Sequence, residues 1–457
     1  MTHERDEGER LRALSSWSAE LVGEPEVVLT RRPGGGRHEA WDVAAANGRR
    51  WFLRADNGPP SETEHYTLRR EATIYRAVHR IGLPSPAVLG VHPTLEAVLL
   101  EHVEGGAAFA RLDPARQTEI VDDFAPWLAR LHAADSAGVE LPGVELPGIG
   151  PAGTIEQHVR HELDLWEARL DASGVPDPLL SACYQWLRDN VPDTGDTLAS
   201  LVQGDTGPGN FLHDGHRVTA FLDFELGHLG DPMEDLAWVG TRNAQEPVPD
   251  FERFLSRYAE SAGAAPDRAR IRYHFLFAEL RIATLGAERT GGRADLEAEH
   301  GNQLIYGALH RRLTVEALAA VLDRPLPPAK LPTLADTADT RYFDGILHQI
   351  PTILVPSVAD PYAARRLKSM ARVVKYLREV DRAAVTHAAA ELDDLASVLG
   401  SRPDTIAGGE AALLDRVRAR RIVAADLLAY AIGQVARRTQ LVGPAMGVLA
   451  TRHLPRI

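Results

Sequence analysis

Short apolar runs and longer helical repeats divide this chain into separate elements. Val27-Val28-Leu29-Thr30, Ala40-Trp41-Asp42-Val43 and Trp51-Phe52-Leu53-Arg54 read as three successive strands. Between the first two, the segment Arg31 to Arg37 holds Gly34, Gly35 and Gly36, the composition of a hairpin turn. Leu68, Ala72, Tyr75 and Val78 then recur at helical spacing, predicting a helix that ends before Pro84-Ser85-Pro86. Ala97-Val98-Leu99-Leu100-Glu101 reads as a further strand. Phe124 to His132 predicts a core helix in which His132 is a buried structural histidine. Over residues 155–170, His158, Glu162, Trp166 and Arg169 fall on helical repeats. That segment predicts an amphipathic helix; lining of an acceptor pocket is the other reading.

Further along, Phe211-Leu212 and Val218 to Phe224 flank His213-Asp214-Gly215-His216, the pattern of a hairpin. Asp231-Pro232 marks a helix start, with Asp as the cap and Pro at the first helical position. The run Arg324 to Pro332 is rich in proline and predicts a stiff linker. Beyond it, Asp360-Pro361 starts a helix with apolar positions at 367, 370, 374 and 377, Gly400 closes the next helix, and Ile422 to Val435 is almost continuously apolar. The expected organisation is a small α+β lobe over residues 1–104 and a mainly helical lobe over 105–325. A linker over 326–333 and a C-terminal all-α domain over 334–457 would follow.

Composition narrows the class. A chain of 457 residues with 44% hydrophobic content can bury two or three domains. The single cysteine, Cys183, excludes an intramolecular disulfide and suits a reducing compartment. The first residues lack a signal-peptide core, and no apolar run reaches the roughly 18 residues needed to cross a bilayer. A cytoplasmic protein with no membrane partner is expected. A net charge of −14 argues against nucleic acid as the main partner.

The candidate chemistry sits in Gln203-Gly204-Asp205-Thr206-Gly207-Pro208-Gly209-Asn210 and in Asp223-Phe224-Glu225. Phosphoryl transfer requires a carboxylate to orient the acceptor hydroxyl and oxygen ligands that hold Mg²⁺ on the phosphates of ATP. Asp205 can fill the first role; Asn210 and Asp223 can fill the second. The glycines between them form a loop that lets side chains five residues apart converge. The glycines at 34–36 could let backbone N–H groups approach phosphates. A cation is needed at the end of the third strand, where Arg54 stands. The chain's three lysines (Lys330, Lys368 and Lys375) all lie beyond these motifs, so Arg54 is the candidate phosphate clamp. Glu71, on the following helix, is its candidate partner.

Gly-Asp-x-x-x-x-Asn, Asp-x-Glu and Gly230-Asp231-Pro232-x-x-Asp235-Leu236-Ala237 together resemble the aminoglycoside-phosphotransferase-like kinases. The likeness is to the branch whose domain is joined to acyl-CoA dehydrogenases in larger proteins. It implies a bilobal protein-kinase-like fold of class α+β, with a small antiparallel-sheet lobe and a mainly helical large lobe. It also implies Asp205 as the catalytic carboxylate, with Asn210 and Asp223 as magnesium ligands. Glu225 would be a further acidic group near the metal, Asp235 a brace of the catalytic loop, and the backbone from Glu101 through Val103 to Gly105 the hinge that meets adenine. The family often has His where Gln203 stands, and an amide can make the same loop-holding hydrogen bonds.

The expected function is ATP- and Mg²⁺-dependent phosphorylation of a small-molecule hydroxyl, with a hydroxyacyl-CoA favoured. An aminoglycoside or macrolide O-phosphotransferase is the alternative. A nucleotide-binding pseudokinase is the alternative of another class, opposed by the joint presence of Asp205, Asn210 and Asp223. The C-terminal helices carry no catalytic set and are expected to cover the acceptor cleft or to join subunits into a homo-oligomer.

Overall fold

The computed structural model describes residues 2–32, 38–56, 65–134, 153–291 and 299–457. Packing divides the chain into two units: Met1–His158 with Thr194–Pro266, and Val159–Asp193 with Asp267–Ile457.

The first unit opens with α1 (Thr2–Val22), followed by strands β1 (Val27–Arg31), β2 (Glu39–Ala45) and β3 (Arg50–Ala55). Helix α2 (Leu68–Arg80) precedes β4 (Val88–Val91) and β5 (Ala97–Glu101). The sheet is antiparallel throughout, in the order β1-β2-β3-β5-β4. Along β3, the alternation of strand side chains buries Trp51, Leu53 and Ala55 and turns Arg54 to the other face. Trp41, Val43, Trp51, Leu53 and Leu99 join Leu14 of α1 in one apolar core. Around this sheet, helix α1 and strand β4 are not announced by the sequence pattern. The two meet closely: a Cβ on Gly90 would stand 2.4 Å from Leu21 Cδ2.

The same unit continues with α3 (Pro114–Ala133) and the start of α4 (Ile155–Ala172). After α5 (Pro178–Asp189), which lies in the second unit, come β6 (Ser200–Val202), β7 (Phe211–His213), β8 (Val218–Phe221) and β9 (His228–Gly230). Helices α6 (Pro232–Arg242) and α7 (Phe251–Ala262) follow. β7 pairs with β8 and β6 with β9, both antiparallel. Phe124 of α3 packs on Phe211 and Phe221 at ring distances of 5.0 and 5.2 Å, so a core helix carries the hairpin from which the site is built.

The second unit contains most of α4, α5, α8 (Arg268–Gly291), α9 (His300–Val321), α10 (Thr340–Gln349) and α11 (Val355–Ser357). It ends with α12 (Pro361–Leu399), α13 (Ile406–Arg418) and α14 (Ala424–Met446). Glu162 and Trp166 of α4 are buried, and Trp166 Nε1 donates to Glu162 Oε2 at 3.2 Å, so this part of the helix is core rather than pocket wall. Where the sequence suggests two helices between Asp360 and Gly400, the chain forms one, because no breaker falls between Pro361 and Leu399. Asp360 caps its start and Gly400, at φ +77°, closes its end. The proline-rich run 326–333 lies inside the second unit. Arg437 donates to Glu391 and Asp394, a charge-paired seam between α14 and α12.

Candidate active site

Two clusters of side chains, both in the first unit, surround one junction. The first is centred on Arg54. Its Nη1 lies 2.5 Å from Glu71 Oε1 and 3.1 Å from Asp223 Oδ1, and its Nη2 lies 3.1 Å from Glu225 Oε2. One guanidinium fork thus gathers carboxylates from α2 and from the segment after β8. A compact ammonium could not present this spread of donors. Burial works against the Arg54 charge, yet Glu71, Asp223 and Glu225 together hold its pKa well above the ordinary arginine value. Burial pushes the Glu71 carboxyl up to about 7 against the opposing pull of Arg54.

Asp223 reaches this cluster from an unusual backbone. Its φ is +61°, the left-handed region that few side-chain-bearing residues adopt. The cost is on the order of 1–3 kcal/mol and persists only where surroundings fix it. Here the Asp223 N–H donates to Tyr75 Oη at 2.9 Å, and Tyr75 packs edge-on against Phe224 at 5.2 Å. Tyr75 reads in the sequence as one apolar position of the α2 stripe; its hydroxyl serves a second purpose.

The second cluster is the loop between β6 and β7. Asn210 Nδ2 donates to the Asp205 carbonyl at 2.7 Å and to Asp205 Oδ2 at 2.8 Å. Arg242, the last residue of α6, donates from Nη1 to both Asp205 oxygens at 2.7 and 2.8 Å. The same side chain donates from Nε to the Pro208 carbonyl at 3.0 Å and from Nη2 to Asn210 Oδ1 at 3.2 Å. Arg242 therefore clasps both ends of the glycine loop. Burial raises the Asp205 pKa, Arg242 opposes that rise, and the charge of Asp223 adds to it.

Backbone pairing joins the clusters, because Leu222 N donates to the Asn210 carbonyl at 2.9 Å. Gln203 Nε2 donates to the Leu222 carbonyl at 2.5 Å and to the Asn210 carbonyl at 3.3 Å. Its amide holds the loop to the strand that leads into Asp223. Beneath the loop, Asp235 accepts from Gln203 N at 2.8 Å, Gly204 N at 2.9 Å and Thr206 Oγ1 at 2.5 Å. Its Oδ2 also lies 3.0 Å from His132 Nε2, whose Nδ1 faces Tyr258 Oη at 2.8 Å. Asp235 and its partners are buried. Gly204 has to be glycine, since its φ is +81° and a Cβ would fall 2.3 Å from the Leu226 carbonyl oxygen.

Of the residues singled out from sequence, Arg54, Glu71, Asp223 and Glu225 are brought together, as are Asp205 and Asn210, with Asp235 bonded under the same loop. Glu101 ends β5, and its side chain accepts from Ala87 N at 3.2 Å. Val103 follows in the connection to Gly106, which pairs through both backbone groups with His213 of β7. Gly34, Gly35 and Gly36 lie outside the described residues. Arg242 and Tyr75 are the residues that sequence reading passes over. A signal for Arg242 exists: it stands seven positions after Asp235, so the two share a helix face two turns apart.

Among the described residues, no group of three or more His, Cys, Asp or Glu is placed to hold a metal, and no helix is long and apolar enough to cross a membrane.

The sequence model of the phosphotransferase enzyme family matches residues 28–274, which contain every side chain of both clusters. Acyl-CoA dehydrogenase family member 11 of Homo sapiens is 27% identical over 229 residues, 43% of this chain and 28% of that protein. The same-named protein of Gallus gallus is 25% identical over 337 residues, 65% of this chain and 42% of that protein. The chain thus spans less than half the length of these curated relatives. Among solved structures, a protein assigned to the aminoglycoside phosphotransferases of Ralstonia eutropha JMP134 is similar in fold, with a TM-score of 0.52. It is 19% identical, and the likeness covers 69% of this chain and 99% of that one.

Proposed function

The chain belongs to the phosphotransferase enzyme family, and on that premise we propose that it transfers the terminal phosphoryl group of ATP to a small-molecule hydroxyl. The observation that carries this reading is the meeting of Asp205 and Asn210 with Asp223 through the β7–β8 backbone. Asp205 holds the acceptor hydroxyl in line and takes its proton at a carboxylate oxygen. Arg54 binds phosphate oxygens while Glu71 fixes its guanidinium. Asp235 keeps the loop backbone in place through its three donors.

A magnesium ion fits this donor set. Asn210 Oδ1 and Asp223 Oδ1 are hard oxygen donors; each accepts from an arginine here, at 3.2 and 3.1 Å, and magnesium would take the place of those N–H contacts. Two such protein ligands suit magnesium, which completes its shell with water and phosphate oxygens. The metal would supply charge neutralisation on the phosphates. The residues' own work is to bind, orient and accept the proton.

For the acceptor, a hydroxyacyl-CoA is the reading we favour. Its support is that the matched relatives carry the name acyl-CoA dehydrogenase family member 11. The test is a panel of hydroxyacyl-CoA thioesters and of aminoglycoside and macrolide acceptors, incubated with ATP and Mg²⁺ and read by mass gain of one phosphate. Gain on the thioesters supports the reading. Gain only on antibiotics overturns the acceptor and leaves the phosphotransferase. Nucleotide binding without transfer to any acceptor class would favour a pseudokinase.

A further inference from the structure

The second unit carries an exposed apolar surface at the bend between α10 and α12. Helix α10 passes without a break into a π-helical turn, Ile350–Leu354, and on into α11; residues 358–360, with Val358 extended, then separate α11 from α12. At this bend runs Ile350-Pro351-Thr352-Ile353-Leu354-Val355-Pro356, in which only Ile350 is buried and Val355 half-buried. Ile353 is 58% exposed and Leu354 42%. Tyr342 and Ile346, both exposed, stand one turn apart on α10 and lead to Ile353 seven residues on. Tyr362, Met370 and Leu377 are exposed along α12. Exposed apolar side chains clustered in this way are an aggregation liability unless something covers them.

Charge decides what covers it. Residues 340–378 hold seven Lys and Arg against two acidic residues, within a chain whose net charge is −14. Two of the three lysines in the chain, Lys368 and Lys375, fall here. The Arg341 guanidinium stands 4.7 Å over the Tyr342 ring and that of Arg365 5.5 Å over Tyr362. Arg365 pairs with Glu299 at 3.0 Å, and Arg378 pairs with Asp344 at 2.8 Å and Glu379 at 2.9 Å. The other five cations of this stretch still leave the apolar tip of the hairpin an excess of positive charge on an acidic protein.

We infer that this hairpin docks peripherally on an anionic bilayer surface. Ile353, Leu354 and the flanking prolines enter the boundary between headgroups and acyl chains, and the lysines and arginines meet the lipid phosphates. The absence of an apolar run long enough to span a bilayer, which underlies the expectation of no membrane partner, does not bear on a hairpin that lies on the surface. A second copy of the chain is the poorer occupant. A two-fold contact would set two faces of like charge against each other.

The experiment is co-sedimentation of the full chain with phosphatidylcholine vesicles and with vesicles containing phosphatidylserine, at low and at physiological salt. The expected result is binding to the phosphatidylserine vesicles that weakens as salt rises. Ile353→Asp/Leu354→Asp should lose at least about tenfold in partitioning, with circular dichroism and phosphotransfer unchanged because both positions are exposed and neither is among the residues assigned to phosphoryl transfer. Lys368→Glu/Lys375→Glu should lose about fivefold per charge removed and flatten the salt dependence. Equal binding to both vesicle types would overturn the proposal, as would full retention by Ile353→Asp/Leu354→Asp. A dimer in solution that the same double variant dissociates, with no vesicle binding by the parent, would overturn it in favour of self-association.

Discussion

Arg242 donates to both carboxylate oxygens of Asp205, at 2.7 and 2.8 Å, from a helix that begins more than twenty residues after the loop it grips. The contact is charge-assisted and accompanied by bonds to Pro208 and Asn210, so one side chain fixes the loop at three places.

Removing that grip should damage turnover more than nucleotide binding. Arg242→Ala is expected to lower kcat by about a hundredfold, the scale set by small misplacements of a reacting group. Nucleotide affinity, measured by titration calorimetry, should change little, because Arg54 and Glu71 remain. Arg242→Lys should recover part of the loss, since an ammonium keeps the charge without the fork. A fall confined to nucleotide affinity would contradict this role.

Arg54 predicts a different pattern. Arg54→Ala leaves Glu71, Asp223 and Glu225 facing one another without their cation and should cost about 3 kcal/mol or more in urea unfolding. Arg54→Met with Glu71→Leu removes both partners of the buried pair and should be less destabilised than Arg54→Ala. Nucleotide binding should be weak in both. Additive losses in the double variant would show that the pair is not coupled.

Asp235 is the anchor under the loop. Asp235→Ala strands the donors of Gln203, Gly204 and Thr206 and the ring nitrogen of His132 in a dry interior. An expected loss of at least about 3 kcal/mol follows from leaving several buried groups unsatisfied. Chemical denaturation monitored by fluorescence measures it; a loss near zero would mean that water reaches the site.

Cys183 reports on the second unit. Its side chain is fully buried, and burial pushes the thiol up to about 12. A thiol reagent at pH 8 should therefore leave the native protein unlabelled and react along the urea transition. The raised value also fixes a sign: below the ordinary thiol value near 9 the group is neutral in both states and adds no pH dependence. Above it the unfolded chain loses a proton that the folded chain keeps, so stability falls as pH rises from 9 towards about 12. Rapid labelling of native protein at pH 8 would contradict the burial.

The strands that hold Arg54 and Glu101 were legible because apolar alternation and turn residues are local signals; the return strand expected over Val218 to Phe224 ends at Phe221, since Asp223 at φ +61° leaves the extended backbone. Asp231-Pro232 announced α6 for the same reason. Pairings written by chain reversal were legible only in part. Arg54 and Glu71 could be matched as opposite charges, but nothing local told that Glu225 would join them or that Arg242 would return to Asp205. Tyr75 was hidden by its own amphipathic chemistry, an apolar ring that packs and a hydroxyl that bonds the backbone of Asp223. The exposed run at Ile350–Pro356 looks in sequence like any core segment, and only burial distinguishes the two.

The most direct test of phosphotransfer through Asp205 compares the parent with Asp205→Asn and Asp205→Ala, using an acceptor found in the panel. Single-turnover transfer from ATP is followed alongside calorimetric nucleotide affinity. Asp205→Asn keeps a side-chain acceptor for Arg242 while removing the proton-accepting carboxylate. The predicted result is transfer slowed by at least about 10²-fold in both variants, with nucleotide affinity retained. Transfer at the parental rate in either variant would contradict the assignment of Asp205 and the mechanism built on it.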